Sequence, residues 1–163
     1  MAKNEENITL DDVDREILSL LQRDSSTPIK EIAKKVNLSA TPCWKRIKKM
    51  QLEGIIRAQV ALLDPERMKA NVNTFVSIRV HEHDPDWNKR FAELVADIPE
   101  IVEIYRMSGE VDYLMRVVVE SIDAYDALYT DIISRMKAAG LTMPDMTSNF
   151  AMEQIKYTTA LPV

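Results

Sequence analysis

Residues 37–50 read "NLSATPCWKRIKKM", and four bases, Lys45, Arg46, Lys48 and Lys49, crowd its end although the whole chain carries a formal charge of −5. On a helical wheel Cys43, Ile47 and Met50 share one face, while Thr41, Lys45 and Lys48 form the opposite stripe with Lys49 beside it. Trp44 lies at the edge between the two faces. The pattern predicts an amphipathic helix, capped by Ser39 or Thr41, with Pro42 near its first turn. The preceding "PIKEIAKKV" places Ile29, Ile32, Ala33 and Val36 on one stripe, with Thr27 suited to cap and Pro28 to open a helix of about two turns. Asn37 tolerates the left-handed conformation that would stop that helix, and Leu38 can then turn back into a core. Earlier still, "LDDVDREILSLLQRD" offers Asp11 and Asp12 for a helix N-terminus and Val13, Ile17, Leu20 and Leu21 for its buried stripe. Three short helices, the last two joined by a tight turn with the small Ala33 at their crossing, read as a helix-turn-helix.

Charge is segregated along the chain. From Lys30 to Arg57 eight bases face only Glu31 and Glu53, a local charge of about +6 in an acidic protein. A stripe of lysines is ordinarily a solvated helix face. Here it occupies the helix that would enter a major groove, with hydroxyls and free backbone N–H groups at its start for phosphate and Lys34 and Lys35 on the preceding helix. Double-stranded DNA is therefore the expected partner, through Lys34, Lys35, Ser39, Thr41, Trp44, Lys45, Arg46, Lys48 and Lys49.

Gly54 should end the third helix, and "IIRAQVALL" is a β-prone run closing at Asp64-Pro65, which would serve as a wing, a linker strand, or both. The expected organisation is a winged helix-turn-helix domain over 1–54, a linker strand and turn over 55–70, and a second domain over 71–163. Within the last, "VNTFVSIRV" alternates, "DWNKRFAELVADI" has helical spacing, "IVEIYRM" and "DYLMRVVVE" flank a hairpin signal at Gly109, "SIDAYDALYTDIISRMKAAG" is helical, and "MTSNFAMEQIKY" is a last strand. The order β-α-β-β-α-β gives an α+β, ferredoxin-like domain with its helices on one sheet face. Phe75, Leu114 and Val118 would lie on the other face, which favours at least a dimer.

Several chemistries lack their residues. A single cysteine forms no internal disulfide, and three glycines supply no phosphate-binding glycine loop, so no cofactor is expected. Cys43 points inward and reads as core rather than nucleophile. "HEHD", residues 81–84, has ligand-type side chains but no second cluster to complete a metal site, and no metal is assigned. The polar opening and the absence of a long apolar run leave no membrane partner and make the cytoplasm the default location. In "MSGEVDYLM", Ser108, Gly109, Asp112 and Tyr113 combine a hydroxyl, an open backbone, a carboxylate and an aromatic, a set able to hold a small zwitterion, although a plain turn explains them as well. With no acid–base or nucleophile pair in sight, binding is favoured over turnover; the alternative is an amino-acid-binding enzyme or enzyme subunit whose helical domain contacts a partner.

With "LDDVDREILSLLQRD", "IAKKVNLSATPCWKRIKKMQLEGII", "ALLDPE", "SGEVDYL" and "SNFAMEQIK" in this order, the chain resembles the Lrp/AsnC (feast/famine) transcription regulators over essentially its whole length. The resemblance implies a DNA-binding domain, a linker strand and a βαββαβ sensor domain of the RAM type. It also implies dimers formed through the sheet, assembly to octamers or other closed rings, and amino-acid effectors held between dimers. Carried over by motif, Ser108, Gly109, Asp112 and Tyr113 would lie at or near the effector, with Asn149 and Phe150 approaching from a neighbouring dimer; Arg106, long and charged just before the hairpin, is a departure that would alter effector choice. The family often has Ser-Pro-Thr-Pro where this chain has Ser39-Ala40-Thr41-Pro42, and the bulky Trp44 points to an unusual operator. "ALLDPE" and "FAMEQIKYTT" look most like a cysteine-responsive subgroup.

Overall fold

The computed structural model of the chain describes residues 9–80 and 85–163, so the first eight residues and the "HEHD" segment lie outside the described residues. Two compact units emerge: residues up to Leu62 together with Lys156–Val163, and Leu63–Ile155.

The first unit contains α1 (Asp12–Arg23), α2 (Ile29–Lys35) and α3 (Ala40–Leu52). Asp11 caps α1 by accepting from the Asp14 backbone N–H at 2.8 Å, while the Asp14 carboxylate accepts from the Asp11 N–H at 3.3 Å. This is a reciprocal capping box built with aspartate in place of the usual glutamate. Helix α2 starts one residue later than its sequence suggests, because Pro28 takes the cap position rather than the first helical one. It ends as anticipated: Asn37 adopts φ 54°, and the Leu38 N–H donates to the Ala33 carbonyl at 2.8 Å. That closing turn carries Leu38 onto a core of Ile17, Leu18, Ile32, Ala33, Val36, Cys43, Ile47 and Met50. A seven-residue helix such as α2 is held by this packing rather than by its own propensity.

After Gly54, at φ 74°, the β-prone run departs from expectation. Ile55 and Ile56 fold back onto the helical core, but residues 55–63 form neither wing nor linker strand within one chain. A strand needs a neighbour to accept its hydrogen bonds, and among the described residues this segment has no ladder partner; Val60, Leu62 and Leu63 are left exposed.

The second unit is β1 (Val72–Arg79), α4 (Pro85–Val95), β2 (Ile101–Arg106), β3 (Tyr113–Val119), α5 (Ile122–Ala138) and β4 (Asp145–Phe150). The strands form one antiparallel sheet in the order β2-β3-β1-β4, the ferredoxin-like arrangement. Alternation sorts the sheet. Thr74, Val76 and Ile78 of β1 and Tyr113, Met115, Val117 and Val119 of β3 face Trp87, Phe91 and Val95 of α4 and Tyr125, Ile132 and Met136 of α5. Trp87 stacks on Phe91 with centroids 4.8 Å apart and donates its indole N–H to the Thr142 carbonyl at 3.1 Å.

Among the described residues of this unit, no helix packs on the opposite face. In register, Phe75 lies opposite Arg116 and Ser77 opposite Leu114, with Tyr105 beyond Leu114. The Arg116 guanidinium forks here between Asn73 Oδ1, at 3.1 and 3.0 Å, and Glu103 Oε1, at 3.0 Å. The final strand is shorter than "MTSNFAMEQIKY" suggested. It pairs with β1 only as far as Thr74↔Phe150, followed by one bond from the Ala151 N–H to the Asn73 carbonyl at 2.9 Å. Since β1 begins at Val72, residues beyond Ala151 run out of ladder and are exposed.

Candidate functional site

Helix α3 presents the charged face that its sequence anticipates, with one revision. Cys43, Ile47 and Met50 are buried, and burial pushes the Cys43 thiol up, so it stays protonated in the core. Ser39 occupies the cap position without bonding its hydroxyl to the helix, which leaves that hydroxyl and the first-turn N–H groups open to a phosphate. Thr41, Lys45 and Lys48 are exposed on α3, as are Lys34 and Lys35 on α2 and its end. Among the described residues Lys45 and Lys48 form no ion pair, whereas Lys49 reaches Glu53 at 3.8 Å.

Arg46 is the revision. Its sequence neighbours mark it as a DNA-facing base, but its guanidinium turns to α1 and pairs with Asp11 at 2.7 Å and Asp14 at 2.8 Å. The same carboxylates form the capping box, so one cation fastens α3 to the start of α1. The Asp14 backbone N–H, followed by the Arg46 guanidinium, holds the Asp11 carboxyl below the usual carboxylate range. The sequence carries a signal for this clamp in the i, i+3 spacing of Asp11 and Asp14, whereas the expectation for the helix start rests on Asp11 and Asp12 alone.

The second set surrounds the β2–β3 hairpin. The Met107 N–H donates to the Asp112 carbonyl at 2.9 Å, closing a four-residue loop over residues 108–111, in which Ser108 and Gly109 are exposed. Asp112 is tied to β1 and to the residue that follows it: its N–H donates to the Ile78 carbonyl at 2.9 Å, and its Oδ2 accepts from the Val80 N–H at 2.7 Å. One oxygen of its carboxylate therefore braces the hairpin. Arg79 adds a bond from Nε to the Glu110 carbonyl at 2.9 Å.

Arg106 and Tyr113 face each other across the ladder and line a cleft of about 370 Å³ between α4 and β2. Its apolar floor comes from Phe91, Val95, Ile101 and Ile104, and Asn88 lies at its side. The Tyr113 hydroxyl donates to Asn88 Oδ1; burial raises that phenol's pKa, partly offset by the Arg106 charge. Asn88 was not legible as a site residue, because a lone polar side chain on an amphipathic helix carries no signal. Asn149 and Phe150 do not join these residues within one chain. Asn149 lies opposite Phe75 on the open sheet face, while Phe150 turns to the helix face and meets Tyr125 edge-on at 5.1 Å. Sequence-adjacent residues on a strand point to opposite faces, so within one chain Asn149 and Phe150 do not share a pocket.

Comparison with known proteins agrees with both halves. The AsnC-type helix-turn-helix domain matches residues 10–51, and the Lrp/AsnC ligand binding domain matches residues 73–161. The chain is 44% identical over 154 residues to the DNA-binding transcriptional activator DecR of Escherichia coli K12, covering 94% of this chain and 99% of that protein. It is 41% identical to the glutamate uptake regulatory protein of Zymomonas mobilis, over 94% of this chain and 91% of that one. Among solved structures, an AsnC family transcriptional regulator from Agrobacterium tumefaciens superposes with a TM-score of 0.87 at 55% identity, covering 94% of this chain and 97% of that one. A transcriptional regulator from Neisseria meningitidis in complex with L-Met gives 0.85 at 30% identity, with the same coverage. These relatives are regulators, which sets aside the enzyme alternative. The chain belongs to the Lrp/AsnC family of DNA-binding transcriptional regulators.

Proposed function

We propose that the second unit binds an amino acid and that its occupancy sets how the first unit engages an operator. The observation that carries this reading is the cleft in which Arg106 and Tyr113 meet over an apolar floor. A guanidinium suits a carboxylate, and the exposed Ser108–Gly109 loop at the end of the same hairpin offers a hydroxyl and unobstructed backbone. Asp112, already bonded through Oδ2, serves chiefly to hold that loop in place. The bound L-Met of the Neisseria meningitidis relative supports an amino acid as the ligand class.

Dimers would form through the open sheet face around Phe75, Leu114 and Tyr105, and further association to an octamer or similar ring would bring Asn149 of one dimer toward the hairpin of the next. The run 55–63, without a ladder in one chain, is then free to pair as a linker strand between domains 1–54 and 71–163. Coupling requires the ligand to bind one assembly more tightly than another. A thermal-shift panel of the twenty amino acids, cysteine first, paired with light-scattering mass measurements, tests this. One amino acid should raise the melting temperature and change the assembly, and Arg106→Ala should lose both responses. No response to any of the twenty would overturn the effector assignment.

A further inference from the structure

We propose that Trp44 is a specificity-determining residue, its indole contacting a thymine methyl group in the major groove; this rests on the DNA-binding reading of α3. The outward face of α3 has two rims, flanking the buried stripe of Cys43, Ile47 and Met50. One rim is closed, because Arg46 is bonded to Asp11 and Asp14 of the α1 cap. The other is open. Trp44 stands there 46% exposed, outside the set of residues packed on the helical core.

A single exposed apolar side chain is unremarkable on a protein surface, but its neighbours select what can cover this one. Trp44 is the fifth residue of α3, one helical turn from both Thr41 and Lys48, and Lys45 follows it. A protein partner laid over the indole would have to desolvate these lysines, which lack ion pairs among the described residues. A major groove instead offers phosphates to the ammonium groups and, between them, an apolar thymine methyl to the ring. The early turns of a recognition helix are also those that reach base edges.

The test uses the full chain and duplexes it selects from a random-sequence pool. Replacing each thymine in turn by uracil removes one methyl and nothing else. At one step per half-site this should weaken binding about fourfold, the effect of uncovering a single methyl. Trp44→Ala should remove that sensitivity while leaving the salt dependence intact, and Trp44→Phe should keep part of it. Trp44 emission should change on saturation with DNA, with Trp87, 2% exposed in the other unit, as the silent reference. A flat uracil scan in the wild type, or equal sensitivity in Trp44→Ala, overturns the Trp44 assignment while DNA binding stands. Failure to retain any duplex at low salt overturns both.

Discussion

Helix α3 and the β2–β3 hairpin both set polar residues on an exposed turn, but they differ in what those residues are already bonded to. On α3, Lys45 and Lys48 project without ion-pair partners among the described residues, and the one base that does not project, Arg46, is bound to two carboxylates. In the hairpin, Asp112 Oδ2 holds the Val80 N–H and Tyr113 donates to Asn88, so part of the polar set is already engaged, while Arg106 and the Ser108–Gly109 loop are exposed. The proposed DNA-facing stripe of α3 has its exposed lysines in place within a single chain. The proposed ligand site is an open cleft beside the edge strand β2.

The largest effect should come from the open sheet face, the proposed dimer surface. Phe75→Asp places a charge opposite Arg116 and at the centre of the proposed dimer surface. It should convert the assembly to monomers in light scattering and lower operator affinity about a hundredfold or more, because a second half-site is lost. Retention of the dimer would show that another surface joins the subunits. Next is Asp112→Ala, which orphans the half-buried Val80 N–H. Denaturant unfolding followed by Trp87 emission in a Trp44→Phe background should show a loss of about 1–3 kcal/mol. An unchanged midpoint would free Asp112 for a ligand role instead.

A smaller effect is expected in the first unit. Asp14→Ala removes half of the capping box and one partner of Arg46, at a cost of about 1 kcal/mol, and a double-mutant cycle with Arg46→Ala should return a coupling of a few tenths to about 1 kcal/mol. The pH dependence has a definite sign. Because the folded-state pKa of Asp11 lies below its unfolded value, the stabilisation it gives is present in full above about pH 4 and disappears as pH falls through the depressed pKa. Melts of the wild type and Asp11→Asn should converge in acid; a constant gap would contradict the clamp.

Where one-dimensional periodicity decides the outcome, the sequence was a sufficient guide. Cys43, Ile47 and Met50 went inward, Asn37 took positive φ, and the alternation of β1 and β3 correctly separated the buried from the open face. Long-range partners were not legible. Nothing local tells Arg46 from Lys45, and only the tertiary position of Asp11 and Asp14 turns one away from solvent. The β propensity of residues 55–63 and 152–157 was also read correctly as composition but not as structure, because a strand is realised only where another backbone lies alongside. The helical reading succeeded for the converse reason, since a helix satisfies its own backbone.

The division of labour along α3 is tested most directly by the salt dependence of DNA affinity in three variants. Each phosphate contact contributes a slope of about −0.9 to log Kobs against log salt concentration. Lys45→Ala and Lys48→Ala should each flatten the slope by about 1, whereas Arg46→Ala should weaken binding with the slope unchanged, because its charge is already neutralised by Asp11 and Asp14. Unaltered slopes for both lysine variants, or a flattened slope for Arg46→Ala, would contradict this assignment of the recognition helix.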